Sequence, residues 1–180
     1  PVNGDSIYNG AIDNAAGVAA LFEIAKAFKA AKIKPERTIV FMALTAEEEG
    51  LLGSSYYANN PIYPLNKTVA NLNMDAFNPL GATKDVAIVG YGQTEIEDYV
   101  ERSAAKFGRT VHGEKNPTSG GFYRSDHFNF VKKGVPGLFM GSGSELLSAD
   151  STSISKRLKA LSGRYHAPSD QVDDNWDFHG

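Results

Sequence analysis

The residues of this chain best equipped for chemistry are its carboxylates, and they fall in groups rather than at random. Glu47, Glu48 and Glu49 follow the apolar run Thr38-Ile-Val-Phe-Met-Ala-Leu44, Asp75 follows a run ending at Met74, and Asp13 opens an amphipathic stretch. Each has a plain reading alone: Asp13 as a helix N-cap, the glutamates as complements to a helix N-terminus, Asp75 as a loop residue. Together they read differently. Like charges ~4 Å apart repel by roughly 1 kcal/mol in water and by more near a protein surface. Several gathered at one edge call for proton sharing or a cation, and a divalent metal is the simpler answer. Oxygen ligands alone would suit magnesium or calcium, whereas added imidazole suits zinc, manganese or cobalt. His166, in Arg164-Tyr-His-Ala-Pro-Ser-Asp170, is open to ligation, with an ordinary loop histidine as the rival reading. There Pro168 stiffens the loop and Asp170 is placed to orient the ring. His112 in an expected strand, His179 in the tail and His127 in Arg124-Ser-Asp-His127 read as packing or local hydrogen bonding.

These groups need elements to carry them. Val18, Leu21, Phe22, Ala25 and Phe28 recur at helical spacing and predict a helix over 11–31. The continuous apolar run 38–44 predicts a strand buried on both faces. Residues 48–59 are expected to be helical, 69–74 and 86–89 strands. Thr94 and Glu97 form a capping box for a helix over 94–107. A strand over 110–112, a short helix over 128–132 and a buried strand over 135–140 follow. From 141 to 177 only a helix around 154–161 stands out, and a connection that long reads as a functional loop. Strands alternating with helices imply an α/β layer fold with a mostly parallel sheet. Two strands then deliver Glu47, Glu48 and Asp75 to the carboxyl edge of the sheet, where open α/β sheets bind ligands.

Composition is permissive. With 180 residues, 42% hydrophobic and 22% charged, the chain is long enough for one core. It has no cysteine, which excludes disulfides, thiolate ligands and a cysteine nucleophile. The net charge of −3 gives no basic footprint for nucleic acid or an anionic membrane. No apolar stretch approaches the ~20 residues of a membrane span.

The motifs taken in order resemble a known family. Asn9-Gly-Ala-Ile-Asp-Asn-Ala-Ala-Gly17, Ala46-Glu-Glu-Glu-Gly-Leu-Leu-Gly-Ser54, Asn73-Met-Asp75, Arg124-Ser-Asp-His127, Gly134-Val-Pro136 and Tyr165-His-Ala-Pro-Ser-Asp170 occur in sequence. This set is similar to the co-catalytic zinc aminopeptidases, the superfamily that includes glutamate carboxypeptidase II. The resemblance implies a three-layer α/β sandwich: a central, mostly parallel but mixed sheet with helices on both faces. It implies that Asp13 bridges two Zn2+ ions, with a cis bond to Asn14. Glu48 and His166 complete one metal site with Asp13, and Asp75 belongs to the other. Glu47 is the general base, and Tyr165 and Arg124 steady the oxyanion. A peptide substrate and a secreted or periplasmic setting also follow from the resemblance, with no nucleic-acid or membrane partner expected.

One family feature is missing. The second metal site takes a histidine from a His-x-Asp element upstream of the bridging aspartate, yet no histidine precedes Asp13. The expectation is therefore a single catalytic domain over 1–180 that starts inside the family's domain and stops before its closing helix. Such a chain would bind one metal well and hydrolyse peptides poorly. Two rivals remain: a one-zinc cyclase of the glutaminyl cyclase branch, and a non-catalytic interaction domain of the same fold. Phe77, Phe122, Tyr123, Phe139 and Met140 lie near the motifs and read either as core or as a specificity pocket.

Overall fold

Among the described residues the sheet has four strands: β1 (Asn71–Met74), β2 (Asp85–Val89), β3 (Thr110–Gly113) and β4 (Gly137–Ser142). The architecture comes from a computed structural model that describes residues 2–77, 79–147, 159–174 and 176–177. The spatial order is β1-β4-β2-β3. β1 and β4 run parallel, as do β2 and β3, while β2 and β4 are antiparallel. The sheet is thus mixed and the class α/β. Leu72 sits opposite Leu138, and Ile88 opposite Met140. Ile88, Leu138, Val135 and Phe130 are buried and form the centre of the core.

Among the described residues it is accompanied by α1 (Ala16–Ala30), α2 (Leu52–Asn59), α3 (Ile96–Lys106) and α4 (His127–Val131). α3 packs on β3, and α4 packs on β1, β4 and α2. The capping box expected for α3 forms in part: Glu97 accepts the N–H groups of Gly92, Gln93 and Thr94, but the Thr94 hydroxyl accepts the N–H of Ile96 and not that of Glu97, and Glu95 stands at the N-cap. These bonds satisfy donors that a helix start leaves open.

The helix expected over 11–31 is broken at its start. Asp13 (φ −113°, ψ 92°) and Asn14 (φ −133°, ψ 38°) leave helical space within a wide turn, Ala11–Ala15. Similarly, the helix expected from Glu48 begins only at Leu52. Residues 47–51 close a turn in which Gly50 and Leu51 donate to the Glu47 carbonyl, with Leu51 itself left-handed. Of the helix expected around 154–161, residues 154–158 lie outside the described residues, and 159–162 are helical.

The largest correction concerns 38–44, which forms no strand and is not buried. A cleft of about 980 Å³ separates it from β1, bounded on another side by α1. Ile39, Val40 and Phe41 are exposed, and so is Leu72 on the outer edge of β1. The apolar run has the right composition, but a strand needs a hydrogen-bonded neighbour, and among the described residues none lies beside it.

Candidate metal centre

Three loops bring the expected ligands together. Asp13 comes from the wide turn before α1, Glu48 from the turn before α2, and His166 from the segment between 163 and 170. One ligand atom from each lies within 4.8 Å of the others. His166 Nε2 is 3.0 Å from Glu48 Oε2 and 3.3 Å from Asp13 Oδ2. The Asp13–Asn14 peptide is cis, as the resemblance implies.

Local structure accounts for this convergence. The Asn14 side chain donates to the Met74 carbonyl at 3.0 Å and accepts the Gly17 and Ala76 N–H groups at 3.0 and 3.4 Å. It therefore ties the start of α1 to the end of β1, on either side of Asp75. Gly17 permits the approach, since a β-carbon there would lie 2.8 Å from the Met74 carbonyl oxygen. Ala46, Ala76 and His166 all have positive φ, although none is glycine. Such backbone costs of order 1 kcal/mol or more per residue and persists where surroundings impose it. Here the three positions precede Glu47, follow Asp75 and coincide with the expected ligand His166. The His166 loop is closed by an Arg164–Asp173 ion pair at 2.8 Å.

Asp75 is held differently. Its Oδ2 accepts from the Ser125 hydroxyl at 2.7 Å, and Asn73 Nδ2 donates to the same hydroxyl at 2.7 Å. Asp75 acts on its neighbours through charge and does not join the three-donor set. Glu47 lies within this field: burial first, then Asp75, Glu48, Asp126 and Asp13, pushes its carboxyl up to about 7. Burial, then Asp75 and Glu48, likewise lifts Asp13 to about 6, against the pull of His166. Asp126, with a buried Oδ1 lacking a hydrogen-bond partner, is also raised by burial. The cluster is thus several carboxylates short of positive charge, and its donor set of two carboxylates and one imidazole suits a divalent ion such as zinc.

The remaining expectations divide. Tyr165 stacks on His166 with ring centroids 3.7 Å apart, and burial with the nearby carboxylates raises its phenol above the ordinary range. Arg124 sits exposed after the short turn Gly121–Tyr123, and its side chain makes no hydrogen bond or ion pair among the described residues. Glu49 is exposed and joins nothing. His127 packs between Phe122 and Phe139, at ring distances of 4.8 and 5.0 Å, and burial pushes it down to about 4. Phe122 is therefore core and Phe139 half-buried against His127, Tyr123 is exposed, and Met140 lines the cleft beside β1. Asp170 does not orient the His166 ring; it accepts backbone N–H groups from Ile12 and Asp13. Sequence reasoning gave no side-chain role to Asn14, Asn73, Ser125 or Asp126, although all four stand inside the quoted motifs, and that proximity was the available signal.

Comparisons with known proteins give the family and the fold. Residues 2–178 match the model of Peptidase family M28. Leupeptin-inactivating enzyme 1 of Streptomyces exfoliatus is 35% identical over 143 residues, covering 77% of this chain and 31% of that protein. BSAP, a zinc aminopeptidase from Bacillus subtilis, superposes with a TM-score of 0.62 at 25% identity, over 93% of this chain and 38% of that one. The LapA aminopeptidase of Legionella pneumophila shares the fold, with a TM-score of 0.67 at 19% identity over 96% and 43% of the two chains. The chain thus spans less than half the length of the relatives it matches.

Proposed function

The chain belongs to Peptidase family M28, and from that premise we propose that its site serves zinc-dependent aminopeptidase chemistry on a peptide substrate. The observation that carries this reading is the convergence of Asp13, Glu48 and His166 within 4.8 Å, with Glu47 next in sequence to one of them. Those three residues would hold a zinc ion, which when bound supplies Lewis acidity and a lowered pKa for water. Asp75 is the candidate for a second zinc, because Ser125 engages its Oδ2 alone.

The chain's own groups divide the rest of the work. Glu47, raised to about 7, can exchange a proton near neutral pH. It takes the proton of the attacking water and returns it to the leaving amine. Tyr165 keeps its phenol proton, being raised above its ordinary value, and can donate to the developing oxyanion. Arg124 is a weaker candidate for that task, as nothing orients its side chain towards the cluster. The carboxylates beyond the ligand set suit the α-ammonium of a peptide N-terminus better than a terminal carboxylate. A secreted or periplasmic setting is part of this proposal and rests on the resemblance alone. No helix among the described residues is long and apolar enough to cross a membrane.

Glu47→Gln tests the assignment. With a chromogenic leucyl substrate, kcat is expected to fall by about 10²–10⁴-fold while zinc content stays at the wild-type level. Unchanged kcat removes Glu47 as the base. That the described residues bring together a single three-donor set also favours a one-zinc cyclase as the second reading. Cyclisation of an N-terminal glutaminyl peptide, without leucyl hydrolysis, would select it.

A further inference from the structure

We propose that Asp170 is a positioning residue, whose buried carboxylate clamps the Ile12 and Asp13 backbone amides and so holds the Asp13 ligand in register with His166. The proposal rests on the metal-centre reading above.

Asp170 is 3% exposed. Both of its carboxylate oxygens lie 3.0 Å from Ile12 N, and Oδ2 lies 3.1 Å from Asp13 N. Its carbonyl accepts the Ala11 N–H at 3.2 Å. Three consecutive amides of the first ligand's turn thus end on one residue of the third ligand's loop. On its own side, Asp170 donates to the Ala167 carbonyl at 3.0 Å, closing the turn directly after His166. The two ligand loops lie more than 150 positions apart in the chain, and this residue joins them.

The residue type follows from the contacts. A buried carboxylate is costly unless hydrogen bonds replace its hydration. Among the described residues no lysine, arginine or histidine pairs with Asp170, so the amides carry that task. Bonds from N–H to an ionised acceptor are roughly twice as strong as neutral ones. Asparagine has the same shape but only one acceptor oxygen, and its amino group would face amide donors. The other side-chain anchor of this turn, Asn14, ties it to the end of β1 and not to the His166 loop, and Gly10 before it is left-handed and gives no side-chain cap. Without the carboxylate, Asp13 is free to drift relative to His166.

The test uses the whole chain, its D170N variant and Co2+ as a spectroscopic probe. In the wild type, through-hydrogen-bond couplings are expected between the Ile12 and Asp13 amide nitrogens and the Asp170 carboxyl carbon; their absence overturns the clamp, whether or not D170N folds. In D170N, exchange of the Ile12 and Asp13 amides is expected to accelerate at least tenfold. Co2+ affinity is expected to fall by about 10–100-fold, the usual cost of losing an outer-shell partner, with an altered visible spectrum. Loss of a merely structural contact would lower the unfolding temperature and leave the spectrum as it was. Wild-type Co2+ affinity and spectrum in D170N overturn the positioning role. A wild-type chain that shows the couplings yet binds no Co2+ overturns the metal-centre reading, and the positioning role with it.

Discussion

Asn14 and Gly17 show how much of the site depends on single atoms. Asn14 fills three hydrogen bonds that join the start of α1 to the end of β1, and Gly17 gives that junction its close approach. A methyl group at Gly17 would press on the Met74 carbonyl at 2.8 Å and on the Asn14 side chain, so the junction would have to open. Gly17→Ala is therefore expected to cost about 1–3 kcal/mol, the range for overpacking, although alanine is the better helix former. Denaturant unfolding measures it; a stabilised variant would show that the junction yields freely. The same residues explain what was legible at this scale. The carboxylates and His166 were readable because their types are rare in apolar surroundings and because motif order places them. Asn14 was not, because an asparagine acquires its role only from the backbone that surrounds it.

At the level of elements, β2 and β3 are joined by a polar clamp as well as a ladder. Asp85, 2% exposed, accepts the Ser144 and Glu145 N–H groups at 2.9 and 2.8 Å, and His112 Nε2 lies 2.9 Å from its Oδ2. Burial alone would raise the Asp85 carboxyl, but the His112 bond and the two amides bring it down to about 2. The Asp85 bond, then the Gly113 carbonyl, raises His112, with burial and Lys115 opposing. The two shifts bound a window. A lowered Asp85 contributes stability above its ordinary 3.8 and loses it as pH falls towards 2. A raised His112 contributes fully below its ordinary 6.5 and loses it as pH rises through the raised value. The clamp should therefore be strongest between about pH 4 and 6.5. His112→Ala should lower the unfolding temperature more at pH 6 than at pH 9; an equal drop at both values would show that the charge is not used. Sequence placed His112 in a strand and left it idle, since its partner lies on a different strand.

At the scale of the whole molecule, a cleft lies between 38–44 and β1. It leaves an extended apolar run and a strand edge facing about 980 Å³ of open space. In the parallel β1–β4 ladder, Asn71 donates towards β4, so the alternating Leu72 groups face the cleft. A folded chain with this surface is expected to bind an environment-sensitive apolar dye. Leu72→Lys should weaken dye binding and change stability by no more than about 0.5 kcal/mol, as surface substitutions do. A loss of ~2 kcal/mol or more would mean that Leu72 belongs to a closed core.

Local information determined the helices with clear periodicity, the Glu97 half of the α3 cap, the short strands and the identity of the chemical groups. All of these depend on residue type and near spacing. Tertiary structure decided the rest. It broke the first helix at Asp13 to present a carboxylate, and it turned Asp170 from the His166 ring to the Ile12 and Asp13 amides. It also left 38–44 unpaired despite a strand's composition. The reason is common to all three. A strand, a ligand set and a buried carboxylate are each completed by a partner distant in the chain, and periodicity carries no record of which partner stands beside it.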